Sequence, residues 1–256
     1  MIKCQVINIL MKIIVSARGG AGGRFISGML SFLIDNTPLT PINPVTGSSH
    51  GALPYLFPWY DIPLVDKAER FLNKTPTYLL AAANRDNARL LSFEWYLDNI
   101  TDTELLSQLA ELMAPDINIP EPTTLRTHLN CQCVSMFADV MKLQVYLISI
   151  LPTHIEDAAT VFAYNTVKNR KTPSDIHIRE WALLLYKQFF SYTWKPTVIS
   201  SNNYKILPYS IIRTKDVAGL LRFITQVLSD NNININTGQI DSVTQYMKDY
   251  FAAQLL

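Results

Sequence analysis

Hydrophobic positions along the chain change period several times, and each change marks an element. Residues 11–16 (Met-Lys-Ile-Ile-Val-Ser) are short, β-branched and apolar, which predicts a buried parallel strand. A glycine-rich turn follows, and then Phe25, Ile26, Met29, Leu30, Phe32 and Leu33 fall on one wide helical face. Residues 36–64 are proline-rich, contain Gly-Ser-Ser-His-Gly around His50, and predict a long irregular segment. Helical periodicity resumes over 65–115, where Thr101 and Glu104 form a capping-box pair ahead of Leu105, Leu106, Leu109, Leu112 and Met113. A proline-rich connector spans 114–122.

Residues 123–129 predict a second strand, 135–142 a short helix, and 144–150 (Gln-Val-Tyr-Leu-Ile-Ser-Ile) a further strand that Pro152 stops. Thr153 and Glu156 form another capping-box pair, opening a helix with Ile155, Ala158, Ala159 and Phe162 inward. Trp181, Leu184, Leu185, Phe189 and Tyr192 give one more helical stripe, and 197–200 and 205–212 predict late strands. Val217, Leu220, Leu221, Ile224, Val227 and Leu228 form a clean stripe. Asn236 paired with Gln239 caps a last helix through Ile240, Val243, Met247, Tyr250 and Phe251. Strands alternate with helices from end to end, so the expected fold is a single α/β domain over 1–256. It would have a central parallel sheet with helices on both faces, and residues 1–10 as a short extension.

Composition narrows the function classes. The chain has 256 residues, 48% of them hydrophobic and 17% charged, which suits a packed core. With 22 Lys+Arg against 21 Asp+Glu, the net charge is +1, so no basic excess points to nucleic acid or an anionic membrane. No stretch reaches the roughly 20 apolar residues of a membrane span, and Lys12 interrupts the apolar N-terminus, so neither a span nor a secretory leader is expected. The three cysteines, Cys4, Cys131 and Cys133, predict free thiols in a reducing, cytoplasmic compartment. Four scattered histidines beside one C-x-C pair make a poor zinc site, and no metal is expected.

The turn Arg18-Gly19-Gly20-Ala21-Gly22-Gly23-Arg24 is the densest chemical signal. Glycines let backbone N–H groups approach an anion, the next helix adds its positive end, and Arg18 and Arg24 offer forked donors. It is not the Lys-Ser/Thr phosphate loop of magnesium-dependent enzymes, and Phe25 stands where a dinucleotide fingerprint would place its third glycine. His128 ends its strand, with two readings open: a base near neutral pH, or a residue satisfying a nearby carbonyl. Lys168, Arg170 and Lys171 form a small basic cluster. His50, His154, Trp59, Tyr60 and Trp181 are expected to be structural or loop residues.

On these residues the chain resembles the sulfotransferases, α/β proteins of P-loop type that use 3′-phosphoadenosine 5′-phosphosulfate (PAPS) and no metal. Ser16 to Phe25 is similar to that family's P-[KR]-S-G-T-T loop. Arg18 and Gly20 match its basic residue and glycine, while Ala21 and Gly22 replace its threonines. Leu125-Arg126-Thr127-His128-Leu129 is similar to its K-T-H-L-P strand, with Asn130 in place of the proline. The strand, Pro152 and following helix resemble its R-N-P segment, with Ile150 at the arginine and Thr160 near the serine. Lys205 to Tyr209 resembles its late strand.

The resemblance implies a three-layer P-loop-type fold and sulfuryl transfer from PAPS to a hydroxyl or amine of a small-molecule or glycan acceptor. His128 would be the base. Arg18, Gly19, Gly20, Ala21, Gly22, Gly23, Arg24, Phe25 and Thr160 would lie around the donor. Similar divergent, glycine-rich proteins are associated with marine microbes and their phages. Two other readings stand beside it: a non-catalytic structural or binding protein, for example viral, that keeps the fold, and a small-molecule kinase.

Overall fold

A computed structural model describes residues 11–17, 21–42, 62–72, 97, 100, 102–127, 129, 131–154, 156–160 and 203–253. Its elements are β1 (Lys12–Ala17), α1 (Gly23–Asp35), α2 (Ile62–Leu72), α3 (Thr103–Met113), β2 (Thr124–Thr127), α4 (Cys131–Val140), β3 (Val145–Leu151), β4 (Tyr204–Pro208), α5 (Tyr209–Arg213), α6 (Val217–Asp230) and α7 (Thr237–Ala253). The four described strands form one all-parallel sheet in the order β2-β1-β3-β4. The expected α/β class with a central parallel sheet therefore holds.

The register explains the sequence pattern. Ile13 and Val15 belong to a cluster with Phe25, Ile26, Met29 and Leu30 of α1 and with the apolar stripes of α6 and α7. Ile14 points the other way and joins Leu106 and Leu109 of α3 and Val134 and Phe137 of α4. A strand buried on both faces has no polar side to alternate with, so β1 and β3 read as continuous apolar runs.

Several local expectations shift. The cap of α3 is Asp102, not Thr101: its carboxylate accepts from the N–H groups of Glu104 (3.0 Å) and Leu105 (3.1 Å). Thr153, read as half of a capping box, donates its hydroxyl to Asp157 (3.4 Å). The segment 205–212, read as one strand, is strand only through Pro208 and then turns into α5. Proline has no N–H to continue a ladder and its fixed φ suits a helix entry, which is where the change falls. The helix expected over 135–142 begins at Cys131.

The Asn236–Gln239 pair forms as read. Gln239 N–H donates to Asn236 Oδ1 (2.9 Å), and Asn236 N–H donates to Gln239 Oε1 (3.1 Å). Cys131 and Cys133 are buried thiols, and Cys133 donates to the Leu97 carbonyl (3.2 Å). The expected helix around Trp181, the strand 197–200, the basic cluster at Lys168 to Lys171, and Cys4, His50, Trp59 and Tyr60 lie outside the described residues.

Candidate functional site

The strand order fixes where a ligand would enter. From β1 the chain runs to β2 on one side, whereas β3 and β4 are added on the other. The order therefore reverses between β1 and β3, and in open parallel sheets ligands sit in the crevice beyond the carboxyl ends at such a point. Ala17 and Ile150 are partners there, and Leu151 pairs with Pro208 one strand further on. The glycine turn leaves β1 at this edge, residues 152–160 leave β3, and α5 leaves β4.

Two glycines of the turn have separate physical reasons. Gly22 is the N-cap of α1 and lies in the left-handed region at φ 78°, which disfavours any residue with a Cβ. Gly23 begins the helix so close to β1 that an added Cβ would lie 2.7 Å from the Ala17 Cβ. No side chain caps α1, while Asp102, Asp216 and Asn236 cap α3, α6 and α7. The first N–H groups of a helix have no partner within it, and at α1 no side chain among the described residues supplies one.

The sequence-selected residues divide as follows. Arg18, Gly19, Gly20 and His128 lie outside the described residues. Ala21 is buried, Gly22 and Gly23 form the helix entry, and Arg24 is exposed. The side chain of Phe25 points into the core: it is 1% exposed and stacks on Tyr250 with ring centroids 3.7 Å apart. A ligand there would meet its backbone and not its ring. The Thr160 hydroxyl donates to the Glu156 carbonyl (2.8 Å), the usual return bond of a threonine within a helix. His154 is exposed, and Arg126 is buried.

The end of β2 is tied to β1. The buried Ser16 hydroxyl, next to the end of β1, donates to the Leu129 carbonyl (2.5 Å). Leu129 N–H in turn donates to Thr127 Oγ1 (3.1 Å). Both residues flanking His128 in sequence are thus held at the carboxyl edge.

A further charged pair was not legible in the sequence. Asp157, with no exposed surface, accepts from Arg213 Nε at 2.6 Å, and the Arg213 side chain is 38% exposed. Thr153 Oγ1 donates to the other carboxylate oxygen. Ile212 lies against the glycine turn, 3.1 Å from the place a Gly22 Cβ would take, so Arg213 leaves α5 beside that turn. The two partners are 56 residues apart, and no local periodicity links them.

Among the described residues, no group of histidine, cysteine and carboxylate side chains is arranged to hold a metal, and no helix is long and apolar enough to cross a membrane. No protein-family model matches the chain, and neither a curated protein nor a solved structure does.

Proposed function

We propose that the carboxyl edge of the sheet binds a phosphate- or sulfate-bearing small molecule. In the finer reading the chain is a P-loop-type transferase similar to the sulfotransferases. The acceptor's oxygen or nitrogen attacks the sulfur of PAPS, the bond from sulfur to the phosphate oxygen breaks, and 3′-phosphoadenosine 5′-phosphate leaves. His128 takes the acceptor's proton, and the turn from Arg18 to Arg24 surrounds the donor's anionic end. The observation that supports this reading is the entry of α1. It is a helix N-terminus without a side-chain cap, opened by a left-handed glycine, at the carboxyl end of a central strand.

A second reading is a non-catalytic binding module. It is favoured by the packing reasons for Gly22 and Gly23 and by the burial of Phe25, each of which accounts for its residue without a ligand.

Melting temperature in the presence of 3′-phosphoadenosine 5′-phosphate, with ATP–magnesium as comparison, separates the readings. A ligand at about 100 times its Kd adds roughly 2.7 kcal/mol of stability. A shift with the bisphosphate alone supports the transferase. A shift only with ATP–magnesium points to a kinase, and no shift with either leaves the binding module.

A further inference from the structure

The geometry points to Arg213 as a second anion-binding group of the crevice, clamped in place by the buried carboxylate of Asp157. It would take a phosphate or sulfate group of the ligand other than the one at the α1 entry. This inference rests on the proposed anion site and adds a residue to it.

Four observations carry it. First, the position: Asp157 follows the end of β3, Arg213 follows the end of β4, and Ile212 packs against Gly22, so the pair borders the crevice where the strand order reverses. Second, the asymmetry of burial: the carboxylate is wholly covered, while the guanidinium is 38% exposed. A buried pair kept for stability alone tends to be replaceable by apolar residues at little loss. A buried acid under a half-exposed arginine instead fixes the direction of the exposed fork. Third, the donors: among the described residues, Nε to Asp157 is the one hydrogen bond of Arg213, so neither Nη group has a partner there. Parallel N–H pairs of that kind match two oxygens of a phosphate or sulfate. Fourth, the carboxylate is held from its far side by Thr153, so its own orientation is fixed.

The probe is pyrophosphate, a small ligand with two anionic groups, titrated calorimetrically into the full chain alongside 3′-phosphoadenosine 5′-phosphate. Arg213→Gln should weaken pyrophosphate binding at least tenfold, and Arg222→Gln, on the exposed side of α6, should leave it unchanged. Removing Arg213 alone strands a buried charge, so the double variant Asp157→Asn/Arg213→Gln is measured as well. It should remain folded and show the same loss. Asp157→Asn alone, which keeps the guanidinium but frees it, should show a smaller, several-fold loss.

Unchanged affinity in the folded double variant overturns the inference, as does a wild-type chain that binds neither probe. If wild type binds both probes equally and both variants lacking Arg213 weaken, Arg213 stands and the PAPS reading falls. If the bisphosphate binds more tightly than pyrophosphate but ignores Arg213→Gln, the PAPS reading stands and Arg213 falls.

Discussion

The two edges of the sheet use polar side chains in opposite ways. At the amino edge, Lys12, Asp35 and Asp230 each hold several partners. Lys12, opening β1, donates to the carbonyls of Pro120 (3.0 Å), Glu121 (2.8 Å) and Pro122 (3.0 Å). Asp35, closing α1, accepts from the N–H groups of Thr123 (2.8 Å) and Thr124 (3.0 Å) where β2 begins. Asp230, closing α6, accepts from Tyr146 (2.8 Å), Lys205 (2.6 Å) and Gln226 (2.6 Å), joining the starts of β3 and β4.

At the carboxyl edge, Arg213 has one partner among the described residues, and α1 has no side-chain cap. At the amino edge these three charged side chains tie the ends of helices and strands together. At the carboxyl edge the α1 entry and Arg213 are the donors that the proposed anion site would use. Burial adds to the contrast: at the amino edge it lowers the pKa of Lys12 and raises that of Tyr146, whose hydrogen bond to Asp230 raises it further.

The sharpest test of this contrast is Phe25→Ala. Phe25 belongs by sequence to the glycine turn and by packing to the core, so its loss should destabilise the protein by about 3–5 kcal/mol. Denaturant unfolding reads this directly. A stability change below about 1 kcal/mol, together with lost anion binding, would return Phe25 to the site and blur the two edges.

Asp35→Ala is expected next in size. It leaves two backbone N–H groups at the start of β2 without their acceptor, at a cost of about 1–3 kcal/mol. The same unfolding curve measures it, and pyrophosphate affinity should not move. A change in affinity would show that the amino edge is not purely structural.

The smallest effect concerns pH. Hydrogen bonds from Lys205, then Gln226 and Tyr146, hold the Asp230 carboxyl down at about 2. The folded chain thus binds its proton less readily than the unfolded one. The stability from the ionised form is full above the ordinary carboxylate range and fades as pH falls from about 4 towards about 2. Because the group is 30% exposed, the contribution should stay below about 1 kcal/mol. Asp230→Asn should flatten the stability-against-pH curve in that window and leave its neutral-pH part nearly parallel to wild type. An unaltered acid limb would mean that the pairing with Lys205 and Tyr146 contributes nothing.

Much of this fold was legible along the chain because its signals are local. β1, α1, β3, α6 and α7 stand where periodicity puts them, and the Asn236–Gln239 cap needs only a three-residue spacing. Misreadings arose where local signals compete. Thr101 and Asp102 are both good caps, and only the backbone path into α3 selects Asp102. Ile211 and Ile212 suit a strand as well as a helix, and the turn at Pro208 decides in favour of α5.

The sequence by itself determined the alternation of strands and helices and the glycines at the first junction, since both depend on neighbours a few residues apart. The tertiary structure alone decided that β1 lies between β2 and β3, that Gly23 must be bare because Ala17 lies beneath it, and that Asp157 meets Arg213. Parallel pairing joins segments far apart in the chain through backbone hydrogen bonds that carry no residue code. Groups brought together that way become visible only once the sheet has assembled.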